Sequence, residues 1–298
     1  MPGLRLAGHR PSARQETRPV CQLPYEARGL RVGAVRNVRI KVAYDGKPFY
    51  GWQRQAGFAT VQEALETALK DLIGEHLTVF GSGRTDTGVH ALGQVASFHV
   101  DTPLPDHRLL HALNAHLPRS VVVTALESCE EGFHAQASAL GKRYLYLVLT
   151  TRFRPPFGHD HHHWVSDALD LGAMRRAAGH LVGEHDFSAL ASAGSSRRSS
   201  VRRVRQLRIA ARRDRLAMLV TGNGFLYNMV RTVAGTLIEV GRGRISADSI
   251  PDILRSGDRS MAGPTAPASG LYLLRVFYGE SCFWNQTHGP RGRPGVFV

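Results

Sequence analysis

The amino-acid sequence predicts an α+β fold built on a mainly antiparallel sheet. Short runs in which every second residue is apolar are typical of strands, and the run that ends at Tyr44 is the first of them. Longer segments between these runs repeat apolar residues every three or four positions, which indicates amphipathic helices. The turn at Asp45-Gly46 and the basic turn over 212–215 follow directly on strand runs, as they do in antiparallel pairs. Because each half of the chain mixes both patterns, the class α+β is favoured.

The first half of the chain alternates predicted strands with two predicted helices. Thr60 and Glu63 form a capping box at the start of the first helix, which ends at Gly74. Pro118 ends the second helix because proline cannot continue one. The predicted strands are 37–44, 77–80, 94–100, 121–126 and 142–149, and the predicted helices are 60–74 and 106–117.

The second half follows a Pro-containing stretch over 150–158, which is the predicted hinge. Its predicted helices are 169–182, 223–240 and one that begins at Ser246, and its predicted strands are 202–210, 216–221 and 271–278. The predicted domains are a basic arm over 1–36, a first half over 37–150, a second half over 151–280 and a tail over 281–298. The arm holds seven arginines and two glutamates without periodicity, so we expect it to be disordered. A transit peptide is the alternative, but the arm has only one serine.

The charge balance of the chain is strongly basic. With 38 Lys and Arg against 24 Asp and Glu, and a sequence pI near 10.5, the chain favours a polyanionic partner, nucleic acid ahead of a membrane surface. No apolar run approaches the roughly 20 residues of a spanning helix, and no signal-peptide core is apparent. Cys21, Cys129 and Cys282 are too widely spaced for a disulfide framework or a zinc pattern. We therefore expect a cytoplasmic protein.

A glycine-rich loop over 81–91 joins two predicted strands and carries one carboxylate, Asp86, two residues after Arg84. Such loops commonly display catalytic groups, although an aspartate between glycines is also typical of an Asx-turn. As a phosphate loop the segment lacks its lysine, because Val89-His90 occupies that position. As a dinucleotide fingerprint it would set a carboxylate against pyrophosphate. Spacing alone leaves a structural turn and a catalytic loop open.

Four histidines, His159 and the three that follow Asp160, suggest a metal site. Adjacent side chains of a strand point to opposite faces, so neighbouring histidines in a strand cannot share one ion. The sequence therefore predicts no metal centre.

Several segments resemble, in the same order, the signatures of the tRNA pseudouridine synthase A family. The segment 84–91 with Gly93-Gln94-Val95 is similar to the family's catalytic loop. The other matching segments are Tyr44-Asp45-Gly46, 50–55, Val61-Gln62-Glu63, 114–118, Phe133-His134-Ala135, Lys142-Arg143-Tyr144 with Tyr146, 183–187, 225–231 and Gly270-Leu271-Tyr272. They cover about residues 37–278, which makes chance similarity a poor explanation.

The resemblance implies a fold, an assembly and a reaction. The implied fold has two similar α/β halves whose sheets join around a central RNA-binding cleft, and the implied assembly is a homodimer. The implied reaction is isomerisation of uridine to pseudouridine at positions 38–40 in the anticodon stem-loop of tRNA. The N1–C1′ bond breaks and the uracil rejoins through C5, so no redox step occurs and no cofactor, nucleotide or membrane is expected.

The same resemblance implies Asp86 as the catalytic carboxylate, which can stabilise or capture positive character on the sugar. Arg84 and Arg231 are the candidates to keep Asp86 ionised where burial would raise its pKa. Tyr144 matches the family's active-site tyrosine and offers a flat surface for an extruded base. The alternative is that Tyr144 is a strand residue that only packs in the core. Whether Asp86 attacks C1′, attacks the ring or removes a sugar proton stays open.

Substrate-binding residues are expected in two groups. The signature segments contribute Arg54, Gln55, His90 and Arg143. The second group lies in a stretch over 197–215 with nine arginines and only Asp214 to offset them, which favours a phosphate-tracking surface over a solvated face. From this stretch we expect Arg198, Arg202 and Arg205 to contact phosphates.

Two positions depart from the family pattern. Gln136 follows Phe133-His134-Ala135 where the family commonly has arginine, which puts one RNA backbone contact in doubt, and Thr87 replaces a frequent alanine. The alternative function is a non-catalytic basic RNA-binding protein, which charge and aromatic content alone would allow. The combination of Asp86, Tyr144 and Arg231 favours the enzyme.

Overall fold

The protein's structure is a computed structural model that describes residues 35–192 and 199–278. Most of the predicted arm, Arg198 and the predicted tail lie outside these residues. Within them, no helix is long and apolar enough to cross a membrane.

The described chain contains ten strands and five α-helices. The strands are β1 (Arg36–Tyr44), β2 (Phe80–Gly81), β3 (His90–Val100), β4 (Val121–Ser128), β5 (Gly141–Leu149), β6 (His163–Trp164), β7 (Gly183–Asp186), β8 (Val201–Arg212), β9 (Arg215–Gly222) and β10 (Leu271–Phe277). The helices are α1 (Val61–Ile73), α2 (Asp106–His116), α3 (Leu171–His180), α4 (Met229–Gly241) and α5 (Ile250–Ser256).

All ten strands form one sheet, in the order β4-β1-β3-β10-β5-β9-β8-β7, with β2 beside β3 and β6 beside β5. Only the short β10–β3 and β5–β6 pairings are parallel among the described strands. The predicted class, α+β with a mainly antiparallel sheet, is confirmed. The last of the described strands, β10, lies between β3 and β5, so the sheet is continuous across the predicted boundary near residue 150.

The helices pack on one face of the sheet and bury its alternating apolar residues. On β1 the buried side chains are Val38, Ile40 and Val42, as the period-two pattern predicts. The capping prediction for α1 is confirmed, because the Thr60 side chain accepts a hydrogen bond from the Glu63 amide. A smaller apolar cluster of Leu145, Ala217 and Tyr272 with its neighbours is separate from this main core.

Two predicted boundaries are wrong, the first because of side-chain hydrogen bonds and the second because of a backbone conformation. Only the last residue of the predicted strand 77–80 pairs with β3, because the Val79 backbone bonds instead to buried polar side chains of α1. Glu66 accepts from the Val79 amide at 3.1 Å, and Gln62 donates to its carbonyl at 3.2 Å. The predicted helix 223–240 begins only at Met229, because Asn228 takes the left-handed conformation with φ +58°.

Candidate active site

The loop between β2 and β3 holds Asp86 in a backbone frame made by its neighbours. The Trp52 amide donates to the Thr85 carbonyl at 3.0 Å, and the Val89 amide donates to the Asp86 carbonyl at 3.1 Å. The hydroxyl groups of Tyr44 and Thr85 lie 2.8 Å apart in the core. The backbone on both sides of the carboxylate is therefore anchored.

A fully buried amide, that of Gln94 on β3, supports the start of the same loop. Its oxygen accepts from the Ser82 hydroxyl at 2.6 Å, and its nitrogen donates to the Gly83 carbonyl at 2.8 Å. Lys142 approaches from β5 so closely that a Cβ at Gly83 would lie 2.2 Å from its Nζ. Sequence reasoning assigned no role to Gln94 or Lys142, although both lie in the segments that carry the family resemblance.

Gly51→Ala is expected to loosen this frame. Gly51 has φ +88°, and an added Cβ would lie 2.6 Å from the Thr85 carbonyl oxygen. We expect a loss of about 2 kcal/mol of folding free energy, from strain and the backbone clash together, measured by chemical denaturation. Gly57→Ala is the matched control, because Gly57 has φ +81° with no atom near its Cβ position. Equal losses in the two variants would contradict a role for the Gly51–Thr85 contact.

Among the described residues, the cation that pairs with the Asp86 carboxylate is Arg231, with Oδ2 3.9 Å from Nη1. Burial raises the pKa of Asp86 above its usual value, and the charge of Arg231 opposes that rise. The side chain of Asp86 remains 33% exposed, so solvent or a substrate can reach it. The arrangement provides a partly desolvated carboxylate whose ionised form depends on a neighbouring guanidinium.

Two fixed acceptors orient Arg231, which lies in the first turn of α4. Its Nε donates to the Ala266 carbonyl at 2.7 Å, and its Nη1 donates to Asn228 Oδ1 at 2.9 Å. Asn228 in turn donates to the Ser192 hydroxyl at 3.0 Å. The left-handed conformation of Asn228 is sparsely populated by residues other than glycine and is typical of functional sites. Sequence reasoning missed Asn228, whose signal was an asparagine immediately before an apolar helix.

Tyr144 stands on the helix-covered face of β5, the face it shares with Tyr146. Tyr144 is 9% exposed and meets the ring of Phe225 edge-on at 5.2 Å. The Tyr146 hydroxyl donates to the Pro267 carbonyl at 2.9 Å. Burial raises the pKa of Tyr146, and the charge of Arg231 opposes that rise. Residues 266–268 therefore connect Tyr146 to Arg231, and the Ala268 side chain lies against Gly88 of the loop over 81–91.

Arg84, the other predicted partner of Asp86, is exposed. No ion pair joins it to Asp86 within the part of the chain that the structure describes. The cation that acts on the Asp86 carboxylate is Arg231. Arg84 thus keeps a guanidinium on the loop surface, where a phosphate could reach it.

Three of the other predicted substrate-binding residues contact protein groups outside the Asp86 pair. Arg54 forms an ion pair with the buried Glu66 at 2.7 Å, and Gln55 donates to the Tyr50 carbonyl at 3.3 Å. Arg143 donates to the Thr221 hydroxyl at 2.9 Å and lies over the ring of Phe277. Because side chains alternate along a strand, Arg143 lies on the opposite face of β5 from Tyr144.

His90 is buried, and both of its ring nitrogens are engaged. The Gly46 amide donates to Nδ1 at 3.0 Å, so Nε2 carries the proton and donates to the Asp160 carbonyl at 2.9 Å. Burial lowers the pKa of His90, although the nearby Asp45 opposes this. Its position supports the end of the loop over 81–91 from inside the protein.

Donor atoms of Asp45, His90 and His161 lie within 4.8 Å of one another, a spacing that could hold a metal ion. A metal at Nδ1 of His90 would have to displace the Gly46 amide, which already uses that lone pair. The donor set therefore fits a hydrogen-bonded, stacked cluster better than a metal centre.

The basic stretch forms β8 near one edge of the sheet. Arg202 Nη1 donates to the Ser199 and Val201 carbonyls, at 2.9 and 2.6 Å. Arg205 is exposed and lies at the bulge of β8, between Val204 and Gln206.

Comparison with known proteins shows the class of protein, which is that of the pseudouridine synthases. A family model described as tRNA pseudouridine synthase matches residues 40–136 and 177–279. The tRNA pseudouridine synthase A of a Thermoanaerobacter species is 46% identical over 244 residues, which cover 82% of this chain and 100% of that relative. The enzyme of the same name from Acetivibrio thermocellus is 45% identical over 245 residues, with the same two coverages.

A solved Cbf5-Nop10-Gar1 complex is similar over 67% of this chain and 45% of its own, at 13% identity and a TM-score of 0.33, a likeness too low to support a conclusion. The family model and the two relatives show the family without this structural match. The chain belongs to the tRNA pseudouridine synthase family.

Proposed function

We propose that the chain isomerises uridine to pseudouridine at positions 38–40 in the anticodon stem-loop of tRNA, with Asp86 as the catalytic carboxylate. Family membership supports the reaction and the tRNA substrate. The observation that supports the site is the part-buried Asp86 carboxylate, 3.9 Å from an arginine that two protein acceptors orient. A tRNA substrate also suits a cytoplasmic setting and the excess of basic residues.

The isomerisation is favoured by a negative charge next to the sugar of the target uridine. Cleavage of the N1–C1′ bond leaves positive character on the sugar, and the ionised Asp86 stabilises or captures it. The uracil then turns and bonds to C1′ through C5, the C5 proton leaves to solvent, and N1 takes up a proton. Arg231 keeps Asp86 ionised, and Tyr144 with Phe225 offers an aromatic wall for the extruded base.

Release of tritium from tRNA labelled at uridine C5 tests this function. The isomerase releases the label without added nucleotide or metal, whereas a non-catalytic RNA-binding protein binds the tRNA and releases none. Substrates in which cytidine replaces uridine at position 38, 39 or 40, one at a time, then assign the positions. Release that persists when all three are replaced would contradict the anticodon-arm assignment.

Three arginines of the basic stretch over 197–215 are expected to contribute binding without sequence preference. Arg198→Ala, Arg202→Ala and Arg205→Ala should each weaken binding of all tRNAs alike. Each lost phosphate contact should lower the slope of log K against log salt by about one unit. Filter binding over a salt series measures the slope. Arg255→Ala is the control, since Arg255 pairs with Asp252 on α5. An unchanged slope in the triple variant would assign these arginines to a solvated face.

We also propose that the chain is a homodimer, as the family resemblance implies. A cleft that serves a long RNA stem is easier to build from two subunits. Light scattering at micromolar concentration should give twice the chain mass of 32.7 kDa, and removal of the basic arm over 1–36 should leave the protein dimeric. A mass near that of one chain would contradict the dimer.

A further inference from the structure

Two exposed aromatic rings stand on the segment between β1 and α1. Tyr50 is 52% exposed and Phe58 is 45% exposed. Their ring centroids lie 4.6 Å apart, with the ring planes at 47°. We call these two side chains the aromatic pair. Adjacent exposed aromatic groups are typical of surfaces that bind a ligand or partner.

Backbone hydrogen bonds hold the aromatic pair in place. The Tyr50 amide donates to the Ala59 carbonyl at 2.8 Å, and the Phe58 amide donates to the Gln55 carbonyl at 3.3 Å. The Gln55 side chain closes the segment by donating to the Tyr50 carbonyl. The rings are therefore preorganised, and a ligand that stacks on them meets a small entropic cost.

The segment that carries the aromatic pair lies against the catalytic loop at Gly51. Gly51, the residue after Tyr50, comes so close to this loop that a Cβ on it would lie 3.2 Å from the Asp86 carbonyl carbon. Since consecutive Cα atoms are about 3.8 Å apart, Tyr50 Cα lies within about 9 Å of the Asp86 backbone. Two or three stacked nucleotides span such a distance, at about 3.4 Å each.

We propose that the aromatic pair is a stacking subsite for an unpaired base of the tRNA strand that carries the target uridine. This inference rests on the proposed function. A uridine that leaves its stack to reach Asp86 exposes the face of a neighbouring base. An aromatic ring replaces that lost stacking, and the Phe58 ring does so whichever base is present, because every base has a π-face.

The test uses an anticodon-arm RNA with 2-aminopurine at the positions that flank the target uridine. The fluorescence of this base is quenched when it stacks on an aromatic ring. We expect quenching on binding to the unmodified protein and its loss in the double variant Tyr50→Leu with Phe58→Leu. Affinity should fall by about tenfold, because one base stack contributes about 1–3 kcal/mol. The salt slope should stay the same, since no charge is removed.

Phe80→Leu is the matched control, because Phe80 is also 45% exposed and has its own ring neighbour, His134. Phe58→Tyr keeps an aromatic ring at this position and should keep the quenching if the subsite recognises aromaticity. A double variant that melts normally and still quenches with unchanged affinity would overturn the inference.

Failure of the subsite and failure of the proposed function give different results. If the unmodified protein forms pseudouridine and the double variant matches its kcat/KM, the subsite is wrong and the function stands. If the unmodified protein forms no pseudouridine but quenching still depends on the aromatic pair, the function is wrong and the stacking subsite stands.

Discussion

Asp86→Asn is expected to lower the rate of pseudouridine formation by at least ~10³-fold while tRNA binding is retained. Asparagine keeps the size and most of the hydrogen-bonding shape of the side chain but removes its negative charge. The neighbours Thr85 and Thr87 cannot ionise near neutral pH and so cannot replace it. Affinity should hold or rise, because binding depends on cations that meet phosphates. Single-turnover kinetics and tRNA binding on one purified sample measure both quantities.

The stability of the same variant relative to the unmodified protein should depend on pH, because the pKa of Asp86 is raised in the folded state. A carboxyl whose pKa is higher in the folded state binds its proton more tightly there, so it favours folding at low pH. That contribution is lost as the pH rises through the folded-state pKa. The melting temperature of Asp86→Asn should therefore be no lower than that of the unmodified protein at pH 7. As the pH falls, the melting temperature of the variant should decrease relative to that of the unmodified protein.

Asp71→Asn serves as the control for Asp86→Asn, since Asp71 is exposed on α1. Near-normal turnover in a folded Asp86→Asn protein would end the proposed mechanism. Lost binding with unchanged melting would instead return Asp86 to the structural turn that its sequence context also allows.

Arg231→Leu is expected to cost about 10²–10³-fold in turnover, the scale found when one preorganised charge-stabilising donor is removed. The change removes the cation that opposes the effect of burial on Asp86. The pKa of Asp86 then rises further, so the acid limb of the pH–rate profile should move to higher pH. A purely structural role for Arg231 would lower turnover at every pH without moving that limb.

Two further variants separate charge from geometry. Arg231→Lys keeps the charge but cannot reproduce both contacts to Ala266 and Asn228, so we expect a smaller shift of the acid limb than with leucine. Arg259→Leu is the matched control, because Arg259 donates to Gly263 and Thr265, which lie in the loop that also carries Ala266. An equal shift of the acid limb in Arg259→Leu would show that loop distortion, and not the Arg231 charge, sets the pKa of Asp86.

Much of the fold and one part of the candidate site could be predicted from the amino-acid sequence. Local patterns carried this information, because strand alternation, helix periodicity and capping act between residues a few positions apart. They located β1 by its alternation, and α1 from Thr60 to Gly74. The glycine-rich loop with Asp86 was also visible, since backbone freedom and a lone carboxylate are properties of the residues themselves.

Only the tertiary structure decided which distant residues meet. It brought Arg231 to Asp86 and left Arg84 exposed, although Arg84 is the closer of the two in sequence. Arg143 and Tyr144 are neighbours in a family signature, yet the pleat of β5 sends them to opposite faces of the sheet. Sequence spacing does not encode which strands become neighbours, and β10, the last strand in the part of the chain that the structure describes, lies in the middle of the sheet. The partners of Asp86 therefore depend on contacts between segments far apart in the chain, which no local pattern records.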